Sequence, residues 1–155
     1  MDEKQIKAQE VYQTLCDTLD ARNWHYSKNE EKMSVSFGVN GDDLPMDFVI
    51  IVDANRQLVR LLSMLNFQFP EDKRVEGAIA TTVASYGMVD GSFDFDLNDG
   101  SVIFRMTASY RESRLGQGLF AYLIDCACFT EDRYNEKFLA VSKGMMSIQD
   151  FIAQE

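Results

Sequence analysis

Asp94-x-Asp96-x-Asn98 sets side-chain oxygens at the first, third and fifth positions of a short stretch. That spacing suits calcium, a hard cation that gathers several oxygens from one tight loop. A complete loop of that kind adds a glycine at the sixth position and a glutamate at the twelfth. Here those positions are Asp99 and Arg105, so a cation stands where a chelating carboxylate belongs. The acids also alternate with Phe95 and Leu97, which places them on the solvent face of a strand. The stretch reads as a hairpin rather than a metal site.

The other reactive residue types are sparse. His25 is the only histidine. It lies beside Trp24 and Tyr26, excludes a multi-histidine metal centre, and leaves any serine triad without a second choice of base. Cys126 and Cys128 are two apart, so on a helix their thiols point about 200° apart and chelate poorly. Gly116-Gln117-Gly118 lacks the third glycine and the preceding strand of a dinucleotide loop. Arg105, Arg111 and Arg114 can gather at a strand end to hold an anion; a solvated strand end is the plainer reading. No catalytic residue, cofactor site or metal site is assigned, and the chain reads as a non-enzyme.

Composition narrows the class further. Among 155 residues, 25 are acidic and 15 basic, a net charge of −10, and 46% are hydrophobic. That is enough apolar material for one ordinary core. The acidic surface repels nucleic-acid phosphates and anionic lipid, so neither partner is expected. No run of apolar residues is long enough to span a bilayer. The charged start, Met1-Asp2-Glu3-Lys4, has no apolar signal region. Three cysteines cannot all pair, which fits free thiols in the cytoplasm.

The elements that must position these residues follow from periodicity. Residues 3–22 read as an amphipathic helix with Asp2 as its N-cap and Ile6, Ala8, Val11, Tyr12, Leu15, Cys16 and Leu19 on one stripe. Three strands follow: one around Met33–Val39, a central one from Met46 to Val52, and one from Leu58 to Leu65. A helix from about Asp72 to Tyr86 carries Val75, Ala78, Ile79, Thr82, Val83 and Tyr86 as its apolar face and stops at Gly87. The hairpin comes next, turning at Asn98-Asp99-Gly100. A helix over 115–129 is apolar on two sides, and Thr130-Glu131-Asp132 resembles the start of another helix. Ser147 caps a final turn. The fold class is α+β, an antiparallel β-sheet of about five strands flanked by helices, in the order α-β-β-β-α-β-β-α(α). No linker or repeat divides residues 1–155, which read as a single domain.

With that order in hand the chain resembles the YbjN family, named as bacterial sensory transduction regulators. The resemblance rests on the helix ending at Tyr86-Gly87, then Gly91-Ser92-Phe93-Asp94-Phe95-Asp96, Gly100 through Arg105, and Glu131-Asp132-Arg133-Tyr134. Asp47 through Ile51 and Leu58 through Leu61 also fit. The resemblance implies a fold like the type III secretion chaperones, small acidic and often dimeric proteins that hold an extended effector segment on apolar patches. It supplies no catalytic residues.

Two functions stay open from sequence. One is a homodimeric, cytoplasmic module that binds a protein or peptide segment, with Phe120, Ile124 and Cys128 as the candidate partner or dimer surface. The other is a small-ligand sensor or minor enzyme with a pocket between sheet and helices, anchored by His25 or an arginine.

Overall fold

The computed structural model describes residues 2–155. Helix α1 spans Glu3–Ala21, and Asp2 caps it by accepting from the Gln5 amide at 2.8 Å. Ala8, Val11, Tyr12, Leu15, Cys16 and Leu19 are buried as their spacing requires; Ile6 stays 47% exposed.

Six antiparallel strands form one sheet in the order β1-β2-β3-β4-β6-β5. They are β1 (Ser27–Asn29), β2 (Ser34–Asn40), β3 (Pro45–Asp53), β4 (Leu58–Gln68), β5 (Ser92–Phe95) and β6 (Ser101–Ser109). The strand beyond the expected five is β1, three exposed polar residues on the sheet edge, with no alternation to announce it. The long Met46–Val52 run is interior, as its apolar character demands. Val35, Phe37, Phe48, Ile50, Leu61, Phe104 and Met106 point to one buried face. On the opposite face Ser36, Asp47, Met64, Arg105 and Thr107 are exposed.

The β5–β6 turn closes at Gly100, whose φ of +77° is natural for glycine. Its amide donates to the Asp96 carbonyl at 2.8 Å. A Cβ there would lie 2.1 Å from the Phe69 carbonyl oxygen, so the turn is also a close contact with the end of β4.

After a single 3₁₀ turn at Glu71–Lys73, helix α2 covers Arg74–Tyr86. Its inward face differs from the expected one. Gly77, Ala80, Thr81 and Ala84 are buried, while Val75, Ile79 and Tyr86 are 68%, 38% and 94% exposed. The reason is proximity: a Cβ on Gly77 would lie 2.5 Å from Phe95 Cε2 and 2.8 Å from Phe69 Cδ2. Only the small stripe allows so near an approach.

Helix α3 is one continuous element, Gln117–Ser142, rather than two helices broken at Thr130. Phe120, Ile124, Ala127, Glu131, Tyr134, Phe138 and Val141 follow one another at three- and four-residue spacing and are all buried. The stripe runs straight through Thr130-Glu131-Asp132, so packing overrides the local capping signal. Helix α3 packs against both α1 and α2 as well as the sheet. Arg22 grips Asp125 with two 2.9 Å hydrogen bonds, tying the end of α1 to it. Helix α4, Ile148–Ala153, is capped by Ser147 and buries Phe151. Phe93, Phe104, Tyr134, Phe138 and Phe151 join hairpin, α3 and α4 in one aromatic cluster, with the Phe93 and Phe138 ring centres 4.9 Å apart.

Gly77→Ala is a direct check on this packing. The substitution gains about 1 kcal/mol of helix propensity but forces a methyl group into the Phe95 ring, an overpacking cost of about 1–3 kcal/mol. The expected outcome is a lower urea midpoint; a raised midpoint would show that α2 is not held this close.

Candidate functional site

The residues singled out for chemistry disperse. Arg105 pairs with Asp94 at 2.6 Å across the hairpin. Asp96 Oδ1 accepts from the Asn98 amide and Asp99 Oδ1 from the Ser101 amide, both short-range turn bonds. Arg111 donates to the Arg56 carbonyl at 3.4 Å, and Arg114 lies 3.8 Å from Glu10, so the three arginines face different partners. His25 is exposed in the connection before β1. Cys126 and Cys128 are half-buried free thiols, and burial pushes the Cys128 thiol up to about 11. Among the described residues no group of three or more His, Cys, Asp or Glu side chains could hold a metal ion. No described helix is long and apolar enough to cross a membrane.

The Phe120–Ile124–Cys128 surface needs correction. Phe120 and Ile124 have no exposed area at all and belong to the core; Cys128 is half-buried. The surplus apolar stripe of this helix is covered by its own chain, because α1 and the sheet close over it.

Exposed Tyr86, Phe129 and Ile152 collect with less exposed apolar neighbours elsewhere. Val83, Tyr86 and Met88 from α2 and its end, Phe129 and Tyr134 from α3, and Ile152 from α4 line a groove of about 430 Å³. Phe129 is 73% exposed and Ile152 45%. Arg133 and Glu155 supply its charges. The Tyr134 hydroxyl donates to Glu155, and Lys137 lies 3.5 Å from the same carboxylate. Burial and that carboxylate raise the Tyr134 phenol to about 12. The groove follows from the inverted α2: small residues facing Phe95 leave the large ones outside. Sequence periodicity found the stripe and could not tell which side of it faced the sheet.

A second apolar surface lies on the uncovered sheet face. Val49 pairs with Leu62 and Met64 with Ile103, neighbouring rows of one patch, and these four line a shallow depression of about 510 Å³. The sheet edges are unequal. At β5 the Ser85 hydroxyl accepts from the Phe93 amide at 2.9 Å and donates to its carbonyl at 3.3 Å, which blunts that edge. At the other edge β1 pairs only with Ser34–Ser36 and leaves the rest of β2, Phe37–Asn40, without an outer neighbour.

One buried polar group was missed by the sequence reading. Glu131 is 1% exposed. Its Oε1 lies 2.9 Å from Ser63 Oγ, which is itself 2.6 Å from the Asp47 carbonyl. Ser63 has a single hydroxyl hydrogen, so with that hydrogen on Asp47 the carboxyl must be the donor in the second contact. Burial agrees, raising Glu131 from 4.5 to about 7. The folded chain then keeps this proton across pH 4.5 to 7 while the unfolded chain loses it. Stability therefore falls as the pH rises through that window. Glu131→Gln keeps the shape and has no proton to lose. Thermal melts from pH 4.5 to 8 should show a shallower decline for the variant, and parallel curves would contradict a protonated Glu131.

The sheet with helices on one face, bridged by α3, is an α+β fold similar to that of YbjN and of ExsC. YbjN from E. coli superposes with a TM-score of 0.64, over 83% of this chain and 91% of that one at 11% identity. ExsC in its complex with ExsE gives 0.57, covering 88% and 96% at 14% identity. The HopA1–SchA chaperone–effector complex gives 0.47, covering 93% and 96% at 13% identity. No protein-family model matches the chain, and no curated protein sequence does.

Proposed function

We propose that the chain is a non-enzymatic, cytoplasmic binding module in which residues 1–155 act as one YbjN-like domain that holds a segment of another protein. The observation that carries this reading is the groove lined by Tyr86, Phe129 and Ile152. Large apolar side chains so exposed on a chain of net charge −10 are costly for solubility unless a partner covers them. A groove between helices accepts an amphipathic segment through anchors at helical spacing. Likeness in fold to ExsC, which was solved in complex with ExsE, supports a protein as the ligand class. The chain pairs as a homodimer through the Val49–Leu62–Met64–Ile103 patch, whose centre is uncharged and whose rim carries Asp47 and Arg105.

Phe129→Asp places a charge in the groove on a side chain that the core does not use. Peptides selected from a displayed library against the native protein should bind this variant at least about tenfold more weakly in fluorescence anisotropy, the loss of one buried aromatic anchor, with unchanged circular dichroism. Equal affinity would move the site elsewhere.

The dimer is read by light scattering. Met64→Glu should convert a dimer to a folded monomer, whereas Ile124→Glu should unfold the chain, since a buried unpaired charge costs several kcal/mol. A native protein that is monomeric at micromolar concentration removes the dimer.

A further inference from the structure

The β3–β4 ladder runs from Asp53↔Leu58 only as far as Val49↔Leu62, although the strands continue to Pro45 and Gln68. Beyond that point β4 follows β6, as in Ser63↔Phe104 and Met64↔Ile103. Side chains take the place of the missing rungs: Ser63 Oγ donates to the Asp47 carbonyl and Asn66 Nδ2 to the Pro45 carbonyl at 3.1 Å. Where the strands part, α3 closes the gap on the helix side and leaves a cleft of about 140 Å³. Leu44, Pro45, Leu65, Phe67 and Leu139 give it apolar walls, and Glu131 and Asn135 its polar end.

That polar end is short of partners. Glu131 and Asn135 are 1% and 2% exposed, one helical turn apart. Glu131 Oε2, Asn135 Oδ1 and Asn135 Nδ2 have no hydrogen-bond partner among the described residues. An orphaned buried polar group costs about 1–3 kcal/mol, and three in one place mark a site built for something else to complete. Two of the three atoms are acceptors, so the complement is rich in N–H donors. The walls require an alkyl body, and the volume admits roughly four or five water-sized groups. Four methylenes and a nitrogen fit that space.

We propose that this cleft is a binding site for a primary alkylammonium group, completed by Glu131 and the Asn135 amide. The charge balance agrees. Asp47 on β3 acts on Glu131 in the same sense as burial, and both hold its proton on. Cys128, one turn away on α3, is an uncharged thiol in the neutral range, and β4 contributes the neutral Ser63. An ammonium entering the cleft displaces the Glu131 proton and leaves an ion pair, so each binding event releases up to one proton and strengthens as the pH rises toward 7 and above. The ligand is either a free alkylamine or a lysine side chain on a bound protein segment. The proposal does not depend on the groove, which shares no lining residue with this cleft.

The test is isothermal titration of the intact protein with n-pentylamine, with n-pentanol as a neutral control of similar size and an acetylated, amidated lysine tripeptide as the second ligand. It is run in two buffers of different ionisation enthalpy. Saturable amine binding, absent for pentanol, with proton release in both buffers and a loss of about tenfold or more in Glu131→Gln, is the expected result. Binding by pentylamine but not by the tripeptide assigns a free amine; tighter binding by the tripeptide assigns a lysine side chain. No saturable binding by either ligand, equal binding of pentanol, or undiminished binding by a Glu131→Gln variant with a native melt overturns the site.

Discussion

The nearness of α2 to the aromatic pair Phe69 and Phe95 is the constraint on which the exposed surfaces depend. Those two rings meet edge-on with centres 5.4 Å apart, and Gly77 lies directly against both. A glycine inside a helix costs about 1 kcal/mol relative to alanine, so its place there reflects a packing demand. With Ala80, Thr81 and Ala84 it makes a flat face that brings the helix onto the hairpin. The geometry of a helix then leaves Val75, Ile79 and Tyr86 pointing away. They have no sheet to meet, and Tyr86 with Val83 becomes one wall of the groove. Burial of the small face and exposure of the large one are a single event.

Helix α3 is the other fixed part. At 26 residues it is about 39 Å long, and its inner stripe meets the sheet, α1 and the aromatic cluster in turn. Because that stripe is continuous, one of its positions falls on Glu131, and Asn135 is buried beside it one turn further on. The polar pair stands where β3 and β4 separate, so a strand divergence and a break in the apolar stripe coincide. Both features are costly alone. Together they make a small cleft with polar chemistry at one end, which is a different surface from the groove on which Phe129 stands.

The fold was legible where periodicity and turn chemistry agree. Asp2 and Ser147 as caps, the Asn98-Asp99-Gly100 turn and the central Met46–Val52 strand all declared themselves. Edge strand β1 did not, since Ser27-Lys28-Asn29 has no apolar rhythm. Thr130-Glu131-Asp132 misled, because a capping signal is local and the stripe from Phe120 to Val141 that overrides it spans six turns. The same break in reading hid Glu131: carrying the three-four spacing through Thr130 puts it among core positions. The groove was illegible for another reason. Hydrophobicity assigns the larger apolar face of α2 to the interior, and only the three-dimensional demand of Phe95 at Gly77 reverses it. Phe120 and Ile124 were misplaced outward by the complementary error, for want of knowing that α1 covers them.

The central claim is that the α2–α3–α4 groove is the surface that meets another protein. Site-specific photo-crosslinking in cells tests it most directly, with a photoreactive phenylalanine analogue placed singly at Phe129, at Ile152, and at the solvated β1 residue Lys28. The account predicts adducts to the same second protein at positions 129 and 152, mapping to one short segment of it, and none at 28. Adducts spread equally over all three positions, or absent from 129 and 152 while the protein remains folded, would contradict it.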